Sequence, residues 1–147
     1  MPTTPLRELD FDIVKEPWNK YELSDGAILK TRIILQKVKH IEQENRTGYG
    51  TDFTPLQVIF APAERKGTPS NQTYTEQELA SSIDQELRYN TTAEEWNEYV
   101  VDDGTRIRVK ITVTRVSRTT KFDQYGDPIY LVETSGLGQN IQPRRYS

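Results

Sequence analysis

Two stretches of the chain alternate apolar and polar residues with a period of two, the spacing that buries one face of a β-strand. The first carries Leu29, Thr31, Ile33 and Leu35, the second Ile107, Val109, Ile111 and Val113. In both, the next apolar residue comes three positions on, at Val38 and at Val116. A step of three in a period of two predicts a β-bulge or sharp bend that re-aims the strand. Each stretch is preceded by a shorter apolar pattern (Tyr21 and Leu23; Tyr99 and Val101) and a turn, Ser24-Asp25-Gly26 or Asp102-Asp103-Gly104. Asp25-Gly26 and Asp103-Gly104 read as structural turn residues, because glycine accepts the positive φ that closes a hairpin. A three-residue loop pairs Leu23 with Ala27 and Val101 with Thr105, so Tyr21 faces Leu29 and Tyr99 faces Ile107. Near the N-terminus Leu9, Phe11 and Ile13 alternate with Asp10 and Asp12, which predicts a further strand. Over 76–89 the pattern changes: Leu79, Ile83 and Leu87 recur every four residues behind Thr75 and Glu78, the pair of a capping box, and predict a helix.

The two strand patterns are copies of each other. Residues 16–38 align without a gap on residues 94–116, at an offset of 78, with eight of 23 positions identical: Glu16/Glu94, Trp18/Trp96, Asn19/Asn97, Tyr21/Tyr99, Asp25/Asp103, Gly26/Gly104, Ile33/Ile111 and Val38/Val116. Each copy continues with a Tyr-Gly loop (Tyr49-Gly50, Tyr125-Gly126), a proline (Pro55, Pro128) and an apolar run (56–60, 129–132), the first copy having three extra residues between Gly50 and Pro55. A long strand bent midway inside a short meander is how small barrels close. The expected fold is therefore mainly β, a tandem duplication of a small SH3-like or OB-like barrel or meander unit with one short connecting helix. The expected divisions are a first β repeat over 6–60, a loop linker over 61–75, the helix over 76–89, a second repeat over 94–137 and a flexible tail over 138–147.

Composition narrows the function classes. Of 147 residues, 34% are hydrophobic and 28% charged, and no apolar run approaches the roughly 18–20 residues of a membrane helix. The N-terminus has no basic head followed by an apolar stretch, so no secretory signal is read there and a cytoplasmic site or a larger assembly is expected. No cysteine is present and His40 is the single histidine, which excludes thiolate metal sites, cysteine nucleophiles and His-rich centres.

Charge is segregated: residues 27–40 hold four basic residues and no acid, 105–121 six and no acid, and 76–103 nine acids against Arg88. Lys30, Arg32, Arg106, Arg108, Lys110 and Arg115, with Trp18 and Trp96, form a candidate surface for a partner or for a nucleic-acid backbone. The opposing reading is a solvated face, with Glu98 across from Arg108, Trp96 facing Lys110 and Trp18 facing Arg32. A sequence pI near 5.3 favours the second reading.

No nucleotide loop or nucleophile–base pairing stands out. Ser135-Gly136-Leu137-Gly138 precedes no helix, Asp10 and Asp12 lack further oxygen ligands, and His40 falls where the second copy has Arg118, a surface polar position. No catalytic residue, metal ligand or cofactor is assigned. The sequons at Asn45, Asn71 and Asn90 are expected to be unused, and the tail segment Pro143-Arg144-Arg145-Tyr146 reads as a loose end. The expected function is a non-catalytic interaction or structural module: an accessory subunit, adaptor or particle component. Its partner is expected to be a protein or a second copy of the chain, with no membrane. RNA or single-stranded DNA binding through the basic faces is the alternative, and a carboxylate-based enzyme the second alternative.

Overall fold

The computed structural model describes residues 7–43 and 46–141. Residues 1–6, 44–45 and 142–147 lie outside the described residues, and with them residue 6 of the first repeat, Asn45, the Pro143-Arg144-Arg145-Tyr146 segment and most of the expected tail. Among the described residues ten strands follow in chain order: β1 (Arg7–Leu9), β2 (Phe11–Lys15), β3 (Asn19–Leu23), β4 (Ile28–Gln43), β5 (Arg46–Phe60), β6 (Ile83–Leu87), β7 (Tyr89–Ala93), β8 (Asn97–Val101), β9 (Arg106–Phe122) and β10 (Pro128–Ile141). Between β5 and β6 come a 3-10 turn (Ala63–Arg65) and a short helix α1 (Glu76–Ala80). Among the described residues no helix is long and apolar enough to cross a membrane.

The strands form two five-stranded antiparallel sheets. In the first the order is β1-β4-β3-β7, with β5 also on β4; in the second it is β10-β9-β8-β2, with β6 also on β9. The hairpins take the register that the apolar alternation requires: Tyr21 pairs with Leu29 and Tyr99 with Ile107. Each loop closes through a backbone pair, Leu23 N–H on the Ala27 carbonyl and Val101 N–H on that of Thr105, both 2.8 Å. Gly26 and Gly104 sit at φ 91° and 88°, where a side chain is strained. The phase jumps are bulges: the ladder slips between Leu35 and Lys37 on β4, and opposite Glu133/Thr134 on β9.

Neither half closes into a barrel, because the strands that could close one leave for the other sheet. Leu9 pairs with Val38 in the first sheet, whereas Phe11, two residues on, pairs with Val101 in the second. The second half does the converse: Leu87 pairs with Val116 and Tyr89 with Leu23. These pairings are the same at an offset of 78, so each half lends one short strand to the sheet of the other.

The cores are shared in the same way. One joins Tyr21, Leu23, Ala27 and Leu29 to Leu87, Val113, Val116 and Tyr130; the other joins Tyr99, Val101 and Ile107 to Leu9, Leu35 and Val38. Each short hairpin thus packs on the bent long strand of the opposite half. The buried aliphatic and aromatic surface, the main favourable term in folding, lies almost wholly across the division between the halves.

Three further expectations are corrected. The helix over 76–89 shrinks to Glu76–Ala80, and 83–87 and 89–93 are strands. A spacing of four fits a strand of period two as well as a helix, so Ile83 and Leu87 did not discriminate. The Thr75 hydroxyl does cap α1, accepting from Glu78 N–H at 3.1 Å, and Ser81 and Ser82 turn their hydroxyls onto the Glu78 and Leu79 carbonyls and end it. Tyr49-Gly50 lies within β5 and only Tyr125-Gly126 in a turn, so the extra three residues belong to the second half, in its longer β9–β10 turn. Finally, β10 continues to Ile141, pairing with Arg106 at its end, so 138–141 is strand and not tail.

Candidate functional site

The side chains with the most chemistry gather along the line where the halves meet. Glu16, between β2 and β3, accepts the Tyr99 hydroxyl of the opposite half at 2.7 Å. Glu94, just after β7, accepts that of Tyr21 at 2.6 Å. Each carboxylate also meets a cation of its own half, Arg32 at 3.3 Å and Lys110 at 3.6 Å. Beside them Asn19 donates its amide to the Ile111 carbonyl at 3.1 Å, and Asn97 to that of Ile33 at 3.0 Å. All three kinds of contact repeat at an offset of 78. Burial, and then the carboxylate at the hydroxyl, push the phenols of Tyr21 and Tyr99 well above the usual tyrosine range.

A second pair of carboxylates sits in the two hairpin turns. The Asp25 side chain is buried and receives Tyr130 Oη at 2.7 Å, Arg118 Nη1 at 3.2 Å and Ala27 N–H at 2.9 Å. Burial alone would raise its pKa, but these donors overcome that and hold the carboxyl below the usual carboxylate range. Asp103 receives Tyr49 Oη and Thr105 N–H and lies in the field of His40, and its carboxyl is lowered likewise. Arg118 is 7% exposed and also reaches the exposed Asp84 at 2.9 Å, so the expected surface position is a buried arginine that bridges Asp25 to a carboxylate at the surface. His40 pairs with Tyr49 across β4 and β5, as Arg118 pairs with Tyr130 across β9 and β10.

The candidate basic residues spread over the outer faces of both sheets, and most of them are matched. Arg32 pairs with Glu16 and lies 5.7 Å from the Trp18 ring. Arg108 pairs with Glu98 at 3.2 Å and lies 4.6 Å from the Trp96 ring. Trp96 therefore stacks on Arg108 and not on Lys110, which Glu94 draws away. Arg115 is bound twice by Glu86, at 3.1 and 3.4 Å. Arg106 is exposed, and Lys30 lies 5.8 Å over the Phe60 ring.

The sequence missed Glu16 and Glu94 as anchors although both stood among the identities, and it read Asp25 and Asp103 as turn residues alone. The available signal was the co-repetition of Glu, Tyr and Asp at one offset, which local pattern does not join into contacts. It also missed Lys20, which pairs with Lys30 across β3 and β4.

A groove of about 550 Å³ is lined by Asn71, Tyr74, Leu79, Asp123 and Tyr125 among others. Asp123 is occupied there by the Tyr125 and Asp127 N–H groups, which shape the turn. Among the described residues no three acids or histidines are grouped to hold a metal ion. No family model matches the chain, and no curated protein or solved structure is significantly similar to it.

Proposed function

We propose that the chain is a non-catalytic interaction or structural module made of two copies of one β unit, interlocked by strand exchange, that presents its outer sheet faces and edges to a protein partner. The observation that supports this reading most is the use made of Glu16, Glu94, Asp25 and Asp103. Each accepts a tyrosine hydroxyl, and each such bond reaches from one copy to the other. Carboxylates so occupied fasten the copies; a general acid or base needs an open side facing substrate. The repetition of bonds, bulges and strand pairings at one offset supports the two-copy reading. Two long strands, β5 and β10, each pair with a single neighbour among the described residues and leave edges for docking.

Nucleic-acid binding through the basic strand faces is the weaker reading, because Arg32, Arg108, Lys110 and Arg115 already face carboxylates.

The test pairs an activity screen with a mass measurement. Protein tagged in the cells that make it should elute in a complex well above its 17.0 kDa by light scattering. The pure chain should not turn over ester, glycoside or phosphate substrates. Turnover that disappears in Glu94→Gln while the melting temperature stays unchanged would overturn the reading.

A further inference from the structure

The two sheets differ at one place where the rest of their pattern is shared. On the outer face of the second sheet Glu98 pairs with Arg108, a compensated cross-strand pair at 3.2 Å. At the matching place on the first sheet, 78 residues earlier, Lys20 pairs with Lys30. Like charges directly opposite each other destabilise a sheet, and the other half shows that this scaffold accepts a compensated pair there. Neither lysine has an ion pair with a carboxylate among the described residues. Glu22, two residues along β3 on the same face, pairs with Ile28 and makes no ion pair with them.

The surroundings of the two lysines differ between the sheets as well. On β5 Leu56 lies opposite Arg32, Val58 opposite Lys30 and Phe60 opposite Ile28, so their side chains share the lysines' face. They are 37%, 39% and 55% exposed, and Trp18 beside Arg32 is 37% exposed. On β10 the matching row is Leu137, Gln139 and Ile141, opposite Lys110, Arg108 and Arg106, so a glutamine interrupts the aliphatic row at the place that Val58 holds on β5. The first sheet therefore carries two uncompensated ammonium groups set in an exposed apolar row, at the free edge of β5.

We propose that this face, Lys20 and Lys30 with Leu56, Val58 and Phe60, is the docking surface for an acidic segment of a protein partner, one whose carboxylates alternate with apolar side chains. The inference rests on the interaction-module reading and names the surface and the partner chemistry. An acidic segment neutralises the lysine pair, and its apolar residues cover the β5 row. Nucleic acid offers the charge but, beyond the thymine methyl, little aliphatic surface for Leu56 and Val58, so the acidic peptide fits better.

The experiment uses the full chain and three labelled probes in fluorescence anisotropy: a soluble peptide of alternating glutamate and leucine, polyglutamate of equal charge, and oligothymidine. The alternating peptide should bind most tightly, and Lys20→Glu should weaken it at least tenfold. Because Lys20→Glu restores the compensated pattern of the second sheet, it should also raise the melting temperature, by about 1–3 °C. A gain in stability with a loss of binding is an outcome that misfolding does not produce. As a control, Glu98→Lys with Arg108→Glu exchanges the charges on the other sheet and should leave binding within twofold. Unchanged binding in Lys20→Glu removes this surface as the site, and tighter binding of oligothymidine through the same lysines overturns the partner class. Binding of none of the probes overturns the inference while leaving the module reading to its own test, the mass of the complex.

Discussion

Tyr21 and Tyr99 are each a core residue and a donor. Removing the hydroxyl tests the second role alone: Tyr21→Phe and Tyr99→Phe should each cost about 1.5–3 kcal/mol by urea unfolding, the loss that follows when a hydrogen bond to a charged group is deleted. The cost should be greater for Tyr99→Phe. Its acceptor Glu16 has a side chain 4% exposed, against 18% for Glu94, so water replaces the lost donor less well. Asp25 and Asp103 make acid stability a residue-scale property. Both carboxyls are held below their ordinary range in the folded chain, so their contribution is complete above the unfolded value of about 4 and is lost as pH falls through the folded one. Melting temperature measured from pH 7 to 2 should stay level until about pH 4 and then fall, and Asp25→Asn should flatten that fall. At the other end Tyr21, Tyr99 and Tyr130 have raised phenols, so stability is complete below about pH 10 and declines above it.

At the scale of elements, local pattern was informative where a local rule decides. The glycine turns, the hairpin register and both bulges follow from alternation and from the backbone freedom of Gly26 and Gly104, properties of a few neighbouring residues. Gly26→Ala should therefore destabilise by about 1–2 kcal/mol, the cost of a side chain at positive φ. A Cβ there would be 3.5 Å from Pro62, an ordinary contact, so conformation and not collision sets the figure; a calorimetric melt of the variant measures it. The helix over 76–89 failed for an equally local reason. Leu79, Ile83 and Leu87 satisfy both periods, and what decides between them is the ladder that β6 makes with β9, 29 to 36 residues away. Tyr49-Gly50 misled in the same manner, since a dipeptide typical of turns is held extended by its pairing with Lys39 and His40. Of the candidate site, the cations were legible as a strip, but their neutralisation was not: Glu16 and Glu94 come from connections between strands, where alternation says nothing about facing.

For the whole molecule, the exchange of strands was beyond a sequence reading, because each half looks self-sufficient: it has its own hairpin, long strand and third strand. Only the turn of direction at Asp10, and again at Arg88, sends the chain to the opposite sheet, and neither residue signals it. The exchange has a direct test. Arg65 and Lys66 are exposed in the connection between the halves, and limited trypsin digestion there should leave two fragments that co-elute and keep the far-ultraviolet spectrum of the intact chain. The same fragments expressed separately should be unfolded, and should regain that spectrum on mixing. Fragments that fold independently would show that the shared cores are not required.

The divided cores also set a timetable for synthesis. Leu9, Leu35 and Val38 are made early, yet Tyr99, Val101 and Ile107, which cover them, come from the far half of the chain. At about 5–20 residues per second a ribosome adds Ile107 roughly 3–14 s after Val38, and for that interval the nascent first half holds an apolar strand face with no cover. Its long β4–β5 hairpin can form meanwhile, but it presents a bare face. The newborn chain is thus exposed to chance association during translation, and a holding chaperone should raise its yield more than that of a chain whose cores close in order.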